Sequence, residues 1–324
     1  MIRRAPVVLA AVLLTIACGA LIVGVTSTQA DVVVQSDVVY GTAGGSSLLL
    51  DIYKPALPSG SGPPPAVVFV HGGGFTSGSK KDWKTGANLM ATGGWVGVSV
   101  DYRLAPAATY PAPADDVVSA LNWMGAHAAS VGFDPRRVVL VGDSAGGLLA
   151  ASAAERLSSE RSPAVVVHGV VSWSGLMDLT TLAATSSGHL AASYLGCSVS
   201  LCPETYRAAS PTANVSQSTP PMLLFNSSDE FILRSQPDEM AARLDAAGSA
   251  GQVQILAGQR HGVEYGNDAW PGTVTFIEQV LGSDLEAREG VSWPWVIGSL
   301  AGAAAILIGR IVWRLRRRPA RRPA

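Results

Sequence analysis

Val138-Val139-Leu140-Val141-Gly142-Asp143-Ser144-Ala145-Gly146-Gly147 is the stretch from which the rest of the chain can be read. Four apolar residues run into a Gly-x-Ser-x-Gly pentapeptide, and the alanine-rich run Leu148 to Leu157 that follows is helical in composition. Strand, sharp turn and helix in this order place the serine at the apex of the turn, exposed at the sheet edge. Gly142 and Gly146 then mark where strand and helix pass too closely for side chains, and the helix N-terminus adds positive potential beside Ser144. A bare Gly-x-Ser-x-Gly is common, and the bland reading is a strand–helix connection that happens to contain these residues. Catalysis by Ser144 needs a base, an acid to orient it and an oxyanion hole elsewhere in the chain.

Around this stretch, strands and helices alternate. Val38–Tyr40 and Leu48–Tyr53 flank a glycine-rich turn and read as an antiparallel hairpin. Val67–Val70, Trp95–Val100, Val138–Val141, Val165–Val171, Met222–Phe225 and Gln252–Leu256 are apolar strands. Helices are expected at Trp83–Met90, Ala114–Ala129, Gln236–Ala247 and Trp270–Leu281, the last with Pro271 in its first turn. Continuous apolar strands separated by helices indicate a mostly parallel, twisted α/β sheet covered on both faces. Residues 176–220 break the rhythm with small polar residues and no clear strand, as a small cap insertion above the strand ends would.

The ends differ from the middle. Of 324 residues, 48% are apolar, and the excess sits at the termini. Met1–Ala30 reads as a signal peptide or N-terminal anchor, with Arg3 and Arg4 before an apolar run. Residues 31–282 would be the catalytic domain and 283–290 a linker. Residues 291–313 would form a transmembrane helix and 314–324 a basic cytoplasmic tail, with the domain extracytoplasmic at the cell membrane. A removable sorting signal has the same outline. Setting aside Arg3, Arg4 and the seven tail arginines leaves 14 basic against 24 acidic residues, a net of −10. An acidic domain disfavours nucleic-acid binding. Cys197 and Cys202, five residues apart, are expected to close a small disulfide loop in an oxidising compartment.

The other catalytic parts lie on either side of Ser144. His71-Gly72-Gly73-Gly74-Phe75 follows the strand Val67–Val70, and its bare backbone suits an oxyanion hole formed by Gly72, Gly73 and the Ala145 amide. His71 would orient that loop. Downstream, strand Met222–Phe225 leads to Asp229, and strand Gln252–Leu256 leads towards His261. The order Ser144, Asp229, His261 suits nucleophile, orienting acid and base. Glu230 adjoins Asp229, but strand alternation sends it elsewhere, so Asp229 is the expected acid.

From about Val38 to Leu281 the chain resembles the hormone-sensitive-lipase-like branch of α/β-hydrolase esterases. The resemblance rests on His-Gly-Gly-Gly-Phe at 71–75, Asp-Tyr-Arg-Leu-Ala-Pro at 101–106 and Pro-Ala-Pro-Ala-Asp-Asp at 111–116. Phe-Asp-Pro-Arg-Arg-Val at 133–138, Gly-Asp-Ser-Ala-Gly-Gly at 142–147 and His-Gly at 261–262 extend it. It implies an α/β-hydrolase fold and a serine esterase acting on small or short-chain esters, with no metal or organic cofactor. The usual Asp-Pro-Leu-x-Asp at the acid is replaced by Asp229-Glu230-Phe231-Ile232-Leu233. An exported carbohydrate acetyl esterase is the alternative among enzymes, and a catalytically silent binding protein on the same scaffold the alternative outside them.

Overall fold

In the central strands, side chains alternate between two apolar clusters. Val67, Phe69, Val139 and Val141 face one cluster, and Val68, Val70, Val138 and Leu140 face the other. This two-residue period, buried on both sides, is what a run of β-branched residues can satisfy in the middle of a sheet.

The computed structural model describes residues 32–56 and 62–282. Their strands are β1 (Val32–Ala43), β2 (Ser46–Pro55), β3 (Ala66–Val70), β4 (Val96–Val100), β5 (Val138–Asp143), β6 (Val167–Trp173), β7 (Met222–Ser227) and β8 (Gly251–Leu256). They form one sheet in the order β1-β2-β4-β3-β5-β6-β7-β8. The β1/β2 and β2/β4 pairs are antiparallel and all later pairs parallel. The helices are α1 (Lys84–Thr92), α2 (Ala112–Ala126), α3 (Ala128–Val131), α4 (Ala145–Ser158), α5 (Leu179–Leu182), α6 (Gly188–Leu195), α7 (Pro203–Ala208), α8 (Pro211–Asn214), α9 (Ser235–Ala246) and α10 (Gly266–Leu281). Residues of α1 and α10 join the first cluster, and residues of α2, α4 and α9 the second. This is the α/β-hydrolase fold.

Some boundaries move. The opening hairpin is longer than its β-rich runs, and α2 ends at Ala126, with a separate short turn to Val131. α10 begins at Gly266, so Pro271 falls inside the helix rather than in its first turn. Proline has no N–H to donate to the carbonyl four residues back, a loss the expected start would have avoided. Four short helices, α5 to α8, fill the β6–β7 connection. Cys197, just after α6, is joined by a disulfide to Cys202, just before α7, with Cα atoms 6.4 Å apart.

The expected location at a membrane is corrected. Among the described residues no helix is long and apolar enough to cross a membrane. The segments on which that expectation was placed, 1–30 and 291–324, lie outside the described residues.

Candidate active site

Ser144 sits where β5 becomes α4. Its φ of 50° and ψ of −118° put a side-chain-bearing residue in a region that favours glycine, a conformation that costs on the order of 1–3 kcal/mol. The surroundings enforce it. The Ser144 N–H donates to the Trp173 carbonyl at 2.7 Å, and its own carbonyl accepts from Gly147 at 3.0 Å. A Cβ on Gly142 would lie 2.3 Å from the Gly146 carbonyl oxygen, and one on Gly146 would lie 2.1 Å from that of Val70. Both glycines are therefore required by close backbone approach. Ser144 is 6% exposed, more enclosed than an exposed edge serine.

His261 follows β8 and carries the imidazole. Its Nδ1 meets Glu230 Oε2, not Asp229. Asp229 is exposed and takes its hydrogen bond from Ser228 Oγ, 2.7 Å away. The imidazole thus meets Glu230 where Asp229 was expected, and the reason is local. β7 ends at Ser227 and the chain turns at Ser228–Asp229, so the alternation used to aim Asp229 no longer applies. Glu230 Oε1 accepts from the Ser227 N–H at 2.7 Å and from Ser174 Oγ at 2.8 Å, leaving Oε2 for the imidazole. Ser174 Oγ also accepts from the Gly262 N–H at 3.1 Å and meets the Tyr265 hydroxyl at 2.8 Å. Ser174 and Tyr265 carry no sequence signal of this role, because the contacts join residues 56 and 91 positions apart.

Asp143, beside the serine, holds three parts together. Its Oδ1 accepts the Gly72 N–H at 2.9 Å and the Trp83 indole N–H at 2.8 Å. A Cβ on Gly262 would lie 3.0 Å from its Oδ2, so the residue after His261 packs against the residue before Ser144. Burial pushes the Asp143 carboxyl up to about 6, against the two hydrogen bonds that favour its charged form.

The expected oxyanion set also changes. The Gly72 N–H is committed to Asp143 and is not available to a substrate. Among the described residues, the N–H groups of Gly73, Gly74 and Ala145 have no acceptor. His71 steadies this loop: its Nδ1–H donates to the Gly72 carbonyl at 2.8 Å, and its ring stacks on Tyr102 at 4.2 Å. Burial lowers the His71 pKa, which suits a neutral structural imidazole. Tyr102 donates to the His71 carbonyl at 2.8 Å, and Arg103 clamps Asp116 through Nε and Nη2. The Asp-Tyr-Arg-Leu segment thus supports the loop without entering the chemistry. Beyond the loop, Phe75 stacks on Tyr194 of α6 at 4.0 Å.

A cleft of about 620 Å³ lies between the starts of α1 and α10, floored by Trp83, Trp173 and Trp270 and bordered by Val263. Among the described residues no group of three His, Cys, Asp or Glu side chains is placed to hold a metal ion.

The BD-FAE family matches residues 50–244, more than half of the chain. The chain belongs to the BD-FAE family. Carboxylesterase NlhH of Mycobacterium tuberculosis is 44% identical over 103 residues, 32% of this chain and 32% of NlhH. Esterase LipQ of the same organism is 32% identical over 232 residues, 66% of this chain and 53% of LipQ. The chain therefore spans about a third of the first relative's length and about half of the second's. Among solved structures, the thermophilic carboxylesterase EstE1, cloned from a metagenomic library, has 27% identity and a TM-score of 0.64 over 79% of this chain and 92% of its own. A truncated carbohydrate esterase from gut microbiota has 18% identity and a TM-score of 0.68 over 78% and 97%, a likeness of fold. In this BD-FAE family member, the parts named above gather at the carboxyl edge of the parallel strands, where such sheets place their ligands.

Proposed function

We propose that the protein is a serine hydrolase of small carboxylic esters, with Ser144 as nucleophile, His261 as base and Glu230 as the acid that orients it. The observation that carries this reading is the pairing of His261 Nδ1 with the buried Glu230, on the sheet edge where Ser144 is held in a strained turn. Ser144 Oγ attacks the ester carbonyl as His261 Nε2 takes its proton, and the Nδ1–H stays on Glu230. The amides of Gly73, Gly74 and Ala145 receive the oxyanion, aided by the N-terminus of the 14-residue α4. The alcohol leaves with the proton from His261. Water then attacks the acyl-enzyme by the same route.

The test compares the protein with Ser144→Ala on aryl esters of acetate through decanoate. The expected result is a fall of at least about 10³-fold in kcat with folding retained. Equal rates for the two proteins would refute the assignment. A preference for short acyl chains supports the restriction to small esters, and a rise towards decanoate contradicts it.

A further inference from the structure

Two large apolar side chains left exposed lie next to the acid and the base in the chain: Phe231 at 50% and Val263 at 46%. Phe231 directly follows Glu230, and its ring lies on the His261 imidazole, with centroids 4.3 Å apart and planes tilted by 36°. Val263 stands two residues after His261, in the 3-10 turn Gly262–Tyr265. The Phe231 carbonyl accepts from Ser187 Oγ at 3.3 Å, at the start of α6. Leu190, further along α6, packs on the oxyanion loop, where a Cβ on Gly74 would lie 3.0 Å from Leu190 Cδ2. An apolar belt beside His261 is thus made by Phe231, packed on its ring, and Val263, two residues after it, while Leu190 of α6 packs on the oxyanion loop.

We propose that this belt binds the alcohol portion of the ester, and that the protein acts on esters of apolar alcohols rather than of sugars. The proposal rests on the roles given above to Ser144 and His261. In acylation the Ser144 oxygen bonds to the carbonyl carbon and the bond from that carbon to the alcohol oxygen breaks. The proton that His261 took from Ser144 goes to this oxygen, which must therefore lie within hydrogen-bond reach of the imidazole. Whatever the oxygen carries lies against the side chains around that imidazole. An alkyl or aryl group there removes the Phe231 and Val263 surfaces from water. A sugar would bring hydroxyls against an apolar ring and give up their hydration without replacing it. Val263 also borders the tryptophan-floored cleft, so a longer chain has further apolar surface to cover.

The test holds the acyl group constant. With full-length protein, kcat/KM is measured for methyl, butyl and hexyl acetate and for methyl acetyl-xyloside. The expected result is a rise of about tenfold or more from methyl to hexyl, with the xyloside below hexyl acetate. Phe231→Ala should cut the hexyl-to-methyl ratio by about fivefold, and so should Val263→Ser, which changes an exposed side chain outside the ring contact with His261. A xyloside faster than hexyl acetate, a flat alcohol series, or an unchanged ratio in both variants overturns the proposal while leaving the esterase reading intact. Hydrolysis no faster than that of Ser144→Ala on every ester overturns both.

Discussion

Placing the proposed acid at Glu230 rather than Asp229 changes what single substitutions are expected to do. Glu230→Gln removes the charge that orients and stabilises the imidazolium, and kcat/KM should fall by about 10³- to 10⁴-fold. Asp229→Asn touches only an exposed side chain and should stay within about twofold; steady-state kinetics on one aryl acetate separates the two. Two residues escape sequence patterning here for different reasons: Glu230 because a turn interrupts alternation, and Gly72 because its N–H is claimed by Asp143, 71 positions away. Asp143 itself leads to a pH prediction. Its folded pKa of about 6 lies above the ordinary 3.8, so the native state holds the proton more tightly than the unfolded chain. Stability from this group is therefore present at low pH and lost as pH rises from about 4 through about 6. Asn at 143 can still accept from Gly72 and Trp83 but does not ionise. The stability of Asp143→Asn relative to the native protein should thus grow by about 2 kcal/mol between pH 4.5 and 7.5, read from urea unfolding at both values.

At the scale of elements, the strands were legible because uninterrupted β-branched runs admit few other readings, and α4 because its alanines follow a fixed turn. The β6–β7 connection was legible only as a gap in the rhythm. Its helices α5, α7 and α8 are four to six residues long, too short to carry a period, and are held by contacts distant in sequence. Asp178 N–H donates to Gln236 at 2.8 Å, and Leu179 N–H to Ser210 at 2.9 Å. α6 lies nearest the candidate site, because Tyr194 stacks on Phe75 and Leu190 packs on Gly74. The Cys197–Cys202 disulfide closes the segment between α6 and α7, and loop-closure entropy for so short a loop is worth about 2 kcal/mol. Replacing both cysteines by serine should lower stability by about that amount. Reductant should lower the melting temperature of the native protein towards that of the double variant while leaving the variant unmoved. Equal melting with and without reductant in the native protein would mean that the loop contributes nothing to the fold.

For the whole molecule, the direction of each strand sets where the chain enters and leaves. Leu50 pairs with Val100 at the carboxyl end of β4 and Tyr53 with Gly97 near its start, so β2 descends to the amino edge of the sheet, and Val32 joins it there opposite Pro55. α10 descends as well: Gly266 packs against Trp173 at the carboxyl end of β6, whereas Phe276 and Val280 pack against Gly169 near its start. Both ends of the described chain therefore lie at the amino edge, opposite Ser144, His261 and Glu230. The parts of the candidate site come from turns at the far edge, and the contacts of Asp143, Ser174 and Tyr265 that support them join residues within 32–282. This arrangement leads to a specific expectation. A protein of residues 32–282 should fold cooperatively, hydrolyse an aryl acetate with kcat/KM within about twofold of the full chain, and lose that activity on Ser144→Ala. If the shortened protein folds cooperatively but is ten times slower, residues outside that span contribute to the site, and the carboxyl edge alone does not account for the chemistry.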